Sequence, residues 1–193
     1  MRTYYRWLDE VLTDEECEEI ISFGTANLET ASTHGEKVGN RMQRIGSWIK
    51  RKSQVSWVDA GSDLDPLMSR LVNNLLAVSR NDYFVNLDYV ESIQFTRYDG
   101  GLARYGWHTD SSANGLAASR IMSATVELSD PNDYVGGNLK IKVGGDNWVA
   151  KKKRGRMILF PSSFPHKVTP VLKGTRHSLV LWAHTREPSE DQC

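Results

Sequence analysis

Two segments in the first half of the chain place apolar residues at the three- and four-residue steps of an α-helix. The first is LTDEECEEIISFG. Near its start Thr13 and Glu16 are spaced as a capping box, and we expect the helix to end at Gly24. The second begins at Asp65, the predicted N-cap, with Pro66 in the first helical position. Each segment has one apolar side, so both predict helices that pack against a core.

After Arg80 the pattern changes to short apolar runs that are typical of β-strands. The candidate strands are YFVNLDYVESIQFTRY, IMSATVELS, GNLKIKV, RGRMILFPS, HKVTPV and RHSLVLWAH. Turn residues such as DPND, GG and KG separate them, and no long helical pattern interrupts them. Helices followed by many antiparallel strands predict an α+β fold. We expect a two-sheet sandwich or jelly roll with the helices on one outer face.

Residues 31–58 follow neither pattern. They are rich in Lys and Arg, poor in acids, and interrupted by Gly35, Gly39 and Gly46. We interpret them as a long loop with one or two short strands, including QVSWV. Two interpretations stay open for the basic part: a solvated surface, or a mobile lid at about residues 35–52 that covers a site.

Length and charge narrow the class of protein. The 193 residues suit one domain over 1–193, with helical support and the lid loop in 1–80 and the β core in 81–185. Lys+Arg and Asp+Glu both number 24, so the net charge gives no case for a nucleic acid or a membrane surface as partner. The start, MRTYYRWLDE, lacks the apolar core of a secretory signal, so we expect a cytoplasmic protein. Two cysteines predict neither a disulfide framework nor a zinc finger.

The segment YDGGLARYGWHTDSS carries the strongest chemical signal. His108 and Asp110 are two residues apart, and in an extended strand such residues project to the same side. The best third ligand is His166, which follows FPSSFP and begins a later strand. Two histidines and one carboxylate form the facial triad of non-haem Fe(II) oxygenases. The alternative, hydrogen-bonded core histidines and a turn-capping aspartate, stays open because HxD alone is common.

Arg176 lies ten residues after His166, behind the Lys173-Gly174 turn. We expect a hairpin there that returns Arg176 beside the metal strand, where its guanidinium could bind a carboxylate through two hydrogen bonds. A diacid cosubstrate would then chelate the iron at one end and contact Arg176 at the other. A surface salt bridge is the alternative.

Together these features resemble the prolyl 4-hydroxylase-like 2-oxoglutarate dioxygenases of bacteria and phages. The matching segments are Tyr98 and Tyr105 before the HTD, Gly136-Gly137, PHKVTPVLKGTRHSLVLW, WLDEVLTDEECEEII and RKSQVSWV. The similarity touches nearly the whole chain and is densest over residues 94–184. It implies a double-stranded β-helix and the conversion of 2-oxoglutarate to succinate and CO₂, coupled to hydroxylation. The implied substrate is a prolyl residue in a peptide or protein. A free amino acid or another side chain, a cupin-type metal enzyme without 2-oxoglutarate, and a non-catalytic barrel are alternatives.

The resemblance also implies roles at matching positions. The catalytic metal ligands, for Fe(II), are His108, Asp110 and His166. The residues for 2-oxoglutarate are Arg176 and Tyr98. The residues near the substrate are Arg120, Trp182 and Tyr105. O₂ is the oxidant, and L-ascorbate is a candidate further cofactor.

One position departs from the family pattern. Many relatives have a large aromatic residue where Glu127 stands in SATVELS. Strand alternation puts Ser123, Thr125 and Glu127 on one face. If that face points inward, Glu127 lies near Arg176 and competes with 2-oxoglutarate. If it points outward, Thr125 does not line the pocket either.

Overall fold

The computed structural model describes residues 4–26, 28–31, 51–58, 62–113 and 115–185. Its helices are α1 (Asp14–Thr25), α2 (Asp65–Asp82) and a short 3₁₀ helix, Leu116–Ser119. Its strands are β1 (Arg6–Leu8), β2 (Glu29–Thr30), β3 (Arg51–Lys52), β4 (Gln54–Val58), β5 (Tyr89–Val90), β6 (Ile93–Asp99), β7 (Ala103–His108), β8 (Arg120–Glu127), β9 (Tyr134–Gly136), β10 (Leu139–Val143), β11 (Asp146–Val149), β12 (Met157–Pro161) and β13 (His166–His184). The predicted lid at residues 35–52 lies outside the described residues except for its last two.

The strands form two antiparallel sheets that share β13. The major sheet has the order β1-β12-β8-β13-β6-β4-β2. The minor sheet has the order β11-β10-β13-β7-β3, and β9 also pairs with β13. This is the jelly roll, or double-stranded β-helix, that the sequence predicts. The predicted strand QVSWV is β4, in the major sheet beside β6.

The prediction of a hairpin before Arg176 is wrong, because β13 is one continuous strand from His166 to His184. Its first part pairs with β7 in the minor sheet, and its second part pairs with β6 in the major sheet. Gly174 lies at the crossing with φ of 71°, and a Cβ there would lie 1.8 Å from the carbonyl oxygen of Asp133. Only glycine allows this close approach. Because β13 crosses from one sheet to the other, His166 lies opposite β7 and Arg176 lies opposite β6. The two side chains therefore enter one cavity from different sheets.

Helix α1 begins and packs largely as predicted. The Glu16 backbone N–H donates to Thr13 Oγ1 at 3.2 Å, and the Thr13 N–H donates to a Glu16 carboxylate oxygen at 2.8 Å, which completes the capping box. The helix continues one residue beyond Gly24, to Thr25. A Cβ on Gly24 would lie 2.4 Å from the ring of Phe95, so glycine here allows the helix to approach the major sheet.

Helix α2 starts at the predicted place with a different cap. Asp65 is not the N-cap: Leu64 is, and it makes no side-chain capping bond. The carbonyl oxygen of Leu64 accepts the first helical hydrogen bonds, from the N–H groups of Leu67 and Met68, both at 3.0 Å. Leu64 is itself buried in the core, which is why the chain enters the helix at this residue. None of the described helices is both long and apolar enough to cross a membrane.

The main core lies between the two helices and the outer face of the major sheet. On β8 the residues Ala124 and Val126 belong to this core, whereas the residues that alternate with them point into the barrel. The side chains of β8 therefore alternate between the two faces of the sheet, as the sequence predicts. Their positions decide which face of β8 points into the barrel. Ser123, Thr125 and Glu127 face inward.

His177 lies on the helix-facing side of β13, on the opposite face from Arg176. Its ring stacks on Phe95 at 5.6 Å between centroids, and its Nδ1 is 3.2 Å from Ser129 Oγ. Burial, and secondly the nearby Arg97 cation, lowers the pKa of His177 to about 4.

This depressed pKa gives a pH-dependent stability. The folded chain binds the proton less well than the unfolded chain, whose histidine pKa is near 6.5. The contribution of His177 is therefore fully present above pH 6.5 and is lost as the pH falls from there towards 4. Urea unfolding of the metal-free chain across this range should show a steeper loss of stability for the native sequence than for His177→Gln. Parallel curves for the two proteins would contradict the assignment.

Candidate active site

The structure brings His108, Asp110 and His166 together at one end of the barrel. His108 ends β7, His166 begins β13, and the two residues are direct partners in the minor sheet. Nε2 of His108 lies 3.5 Å from Asp110 Oδ1, and Nε2 of His166 lies 3.4 Å from Asp110 Oδ2. One ligand atom from each residue lies within 4.8 Å of the other two, close enough for all three to bind one ion.

The hydrogen bonds of both histidines prepare them for metal binding. His108 Nδ1 lies 2.8 Å from the Gly106 carbonyl oxygen, and His166 Nδ1 lies 2.9 Å from the Phe164 carbonyl oxygen. A carbonyl only accepts, so each Nδ1 donates its proton there and each Nε2 is the ring atom that faces Asp110. Burial lowers the pKa of His166, although Asp110 partly offsets this effect. Two imidazoles that present Nε2 and one carboxylate fit the coordination preference of non-haem Fe(II).

Asp110 is held by two serines that the sequence did not single out as site residues. Ser123 Oγ donates to Asp110 Oδ2 at 2.7 Å and lies 2.9 Å from Ser162 Oγ. Burial alone would raise the pKa of Asp110, but the two histidines and Ser123 outweigh it, so the pKa lies below its ordinary range. The carboxylate is therefore ionised and oriented. The inward alternation of β8 was the available signal for Ser123.

A cavity extends from these three residues into the barrel, and both predicted tyrosines line it. Tyr105 stacks on His108, with 3.5 Å between ring centroids. Tyr98 is buried further in, where the Arg176 guanidinium lies 5.4 Å from its ring centroid. Thr125 also lines the cavity. The cavity volume is about 40 Å³, which is room for a few waters.

Arg176 is buried at the inner end of the cavity and already has an ionic partner. Its Nη2 pairs with Glu127 Oε1, and its Nη1 donates to Ser178 Oγ at 3.1 Å. Its Nε is buried and has no hydrogen-bond partner among the described residues. Tyr134 donates its hydroxyl to Glu127 Oε2 at 3.3 Å. Burial alone would lower the pKa of Arg176, but Glu127 and the neighbouring tyrosines raise it, so the guanidinium is charged.

Arg120 lies behind Trp182 in a network that the sequence did not predict. Its Nε and Nη2 donate to the two carboxylate oxygens of Glu91, both at 2.6 Å. The same carboxylate contacts Nε2 of buried His184 at 2.7 Å. The Arg120 guanidinium lies 4.1 Å from the Trp182 ring centroid and reaches the Asp110 carbonyl oxygen at 3.3 Å. Trp182 lines the cavity, whereas Arg120 supports its wall.

Arg51 is a cavity residue that the sequence interpretation missed. It is buried, with Nε bonded to Ser53 Oγ at 3.0 Å and Nη2 bonded to Gln94 Oε1 at 2.9 Å. Its guanidinium lies 4.5 Å from the centroid of the Tyr105 ring. All of these partners are neutral. Arg51 stands in a stretch that we interpreted as a basic surface or lid, and its place in the cavity follows from the pairing of β3 with β7.

Sequence comparisons agree with this geometry. The family model of the 2OG-Fe(II) oxygenase superfamily matches residues 93–184. A PKHD-type hydroxylase from Nitrosomonas europaea is 30% identical, over 96% of this chain and 80% of that protein. Two PKHD-type hydroxylases from Paraburkholderia species are also 30% identical, and the chain spans 65% of their length.

Structural comparisons show the same fold. A prolyl-4-hydroxylase from Pseudomonas putida matches with a TM-score of 0.70 at 23% identity, over 94% of both chains. A prolyl hydroxylase from Trichoplax adhaerens, solved with a peptide fragment of the oxygen degradation domain of hypoxia inducible factor, matches with a TM-score of 0.72 at 16% identity, over 94% of this chain and 83% of that one. From its sequence relatives, its fold and its three candidate metal ligands, the chain belongs to the 2OG-Fe(II) oxygenase superfamily, with PKHD-type hydroxylases among its relatives.

Proposed function

We propose that this chain hydroxylates a prolyl residue in a peptide or protein, using Fe(II), O₂ and 2-oxoglutarate and releasing succinate and CO₂. The observation that carries the proposal is the convergence of His108, Asp110 and His166 at a cavity that ends at a buried arginine. When bound, the metal and the 2-oxo acid supply the oxygen-activation chemistry.

The residues of the chain provide placement and shielding. His108 and His166 offer Nε2 lone pairs, and Asp110, held by Ser123, offers one negative charge. Arg176 provides a positive charge for a distal carboxylate, and Tyr98 forms the wall beside it. Burial excludes water from this space, so these polar groups act in a medium of low dielectric constant.

Aromatic side chains support a prolyl substrate. Trp182 lines the cavity, and Trp57, which is 41% exposed, lies 6.3 Å from it between ring centroids. This pair extends an apolar surface from the cavity wall towards solvent. The pyrrolidine ring of a prolyl residue is apolar and its peptide nitrogen carries no proton, so such a surface suits it. The two similar structures described above are prolyl hydroxylases, and one of them contains a peptide.

The test is hydroxylation of a peptide panel by the Fe(II)-loaded chain. Proline-containing peptides are compared with matched peptides that carry alanine instead, and with free L-proline. We expect succinate release and a mass increase of one oxygen atom on the prolyl residue only. Hydroxylation of free amino acids in preference to every peptide, or of the alanine-matched peptides, would contradict the prolyl-peptide assignment and favour the alternative of another side chain.

The proposed function leaves a further cofactor, the lid and the cellular location to be tested separately. L-Ascorbate is proposed as a cofactor that sustains repeated turnover, and omitting it from the assay tests this role. The lid at residues 35–52 and a cytoplasmic location stay predictions. A cupin-type enzyme that does not use 2-oxoglutarate is the second candidate, and the buried Arg176 at the end of the cavity argues against it.

A further inference from the structure

The guanidinium that would receive a distal carboxylate is already paired with a carboxylate of the chain itself. Glu127 and Arg176 are both buried, with 4% and 1% of their surfaces exposed. Glu127 is further fixed by the hydroxyl of Tyr134 at 3.3 Å. A second cation stands nearby, since Lys152 Nζ lies 3.8 Å from the centroid of the Tyr134 ring.

Part of the Arg176 guanidinium is still available. An arginine has five N–H donors, and Glu127 and Ser178 engage only the two terminal nitrogens. Nε is buried without a partner among the described residues, although a buried donor of this kind ordinarily has one. A ligand carboxylate that reaches Nε would therefore bind Arg176 while Glu127 stays in place.

Such a ligand carboxylate meets two opposing effects. It gains a charge-assisted hydrogen bond from Arg176. It also enters a buried space beside the negative charge of Glu127, and like charges at this range repel strongly where the dielectric constant is low. A 2-oxo acid that ends in a neutral group gains less from Arg176, but Glu127 does not repel it. The Glu127–Arg176 pair therefore reduces the affinity advantage of a 2-oxo diacid over a 2-oxo monoacid.

We propose that Glu127 is a specificity-determining residue of the cosubstrate site. Glu127 weakens the binding of 2-oxoglutarate and reduces its affinity advantage over 2-oxo acids without a distal carboxylate. This inference rests on the proposed role of Arg176 as the residue that receives the distal carboxylate.

The experiment measures binding without turnover. The Mn(II)-loaded chain is titrated calorimetrically, in the absence of oxygen, with 2-oxoglutarate and with 2-oxopentanoate, which has the same carbon chain without the distal carboxylate. For the native sequence we expect a preference for 2-oxoglutarate of less than about tenfold, that is, below roughly 1.4 kcal/mol. In Glu127→Gln we expect 2-oxoglutarate to bind at least about tenfold more tightly, with 2-oxopentanoate unchanged.

The matched control is Asp99→Asn. It removes a carboxylate that bonds Thr175 Oγ1 at 3.0 Å on the neighbouring strand, outside the cavity, and should change neither affinity. Equal or weaker 2-oxoglutarate binding in folded Glu127→Gln would overturn the inference, and would leave Glu127 as a structural partner of Arg176. If the variant does not fold, a native preference well above tenfold overturns it as well. Failure of both native and variant proteins to bind 2-oxoglutarate, with Mn(II) bound, would instead overturn the proposed function and this inference with it.

Discussion

Asp110→Ala is expected to abolish turnover and to weaken Mn(II) or Fe(II) binding by more than about 100-fold, since losing even a residue that only supports a metal ligand costs 10- to 100-fold. Asp110 is the only anionic member of the triad, and its two oxygens lie 3.5 and 3.4 Å from the two histidine Nε2 atoms. The metal-free variant should still fold, because the side chain faces the cavity rather than the apolar core. Calorimetric titration with Mn(II) measures the loss.

His177→Gln is the matched control for this experiment. It removes a histidine from the same strand as His166, on the side that faces the helices. Metal affinity should stay at the native value. Native metal affinity in folded Asp110→Ala would remove Asp110 from the ligand set and would leave the proposed chemistry without its carboxylate.

Arg176→Gln is expected to lower the free energy of unfolding by about 3–5 kcal/mol, because it leaves the carboxylate of Glu127 buried without its ionic partner. The double variant Arg176→Gln/Glu127→Gln should recover most of this loss, since no uncompensated charge remains. Neither variant should bind 2-oxoglutarate at native strength. Urea unfolding measures the first effect, and calorimetry on the Mn(II)-loaded proteins measures the second.

The control for burial is Arg6→Gln, which breaks a partly exposed pair with Asp82 at 2.8 Å. Exposed pairs contribute little, so the loss should stay below about 1 kcal/mol. If the double variant is no more stable than Arg176→Gln, the buried charge of Glu127 is not the cause of the destabilisation, and the account of this pair is wrong.

Local patterns predicted most features that depend on neighbouring residues. The capping box of α1 is confirmed because both partners lie within one helical turn. The inward face of β8 follows from the two-residue period of a strand, which also showed that Glu127 could meet Arg176. His108 ends β7 and Asp110 lies two residues beyond it, so their approach follows from the short spacing and not from a strand that includes both.

Features that depend on distant pairing were not predictable from local patterns. The buried cluster of Arg120, Glu91 and His184 joins residues that are 29 and 93 positions apart, and forms only where β5, β8 and β13 meet in register. The continuous course of β13 depends on Gly174 meeting the Asp133 carbonyl, a contact that no periodicity signals. Arg51 enters the cavity because β3 pairs with β7, which a basic stretch of sequence does not reveal.

The most direct test of the central claim is the requirement for 2-oxoglutarate in O₂-dependent turnover by the Fe(II)-loaded chain. Succinate and hydroxylated peptide are measured together, with 2-oxoglutarate present or withheld. We expect one succinate for each hydroxyl group that is added, and no product when either the cosubstrate or the iron is absent. Full hydroxylation without 2-oxoglutarate would contradict it.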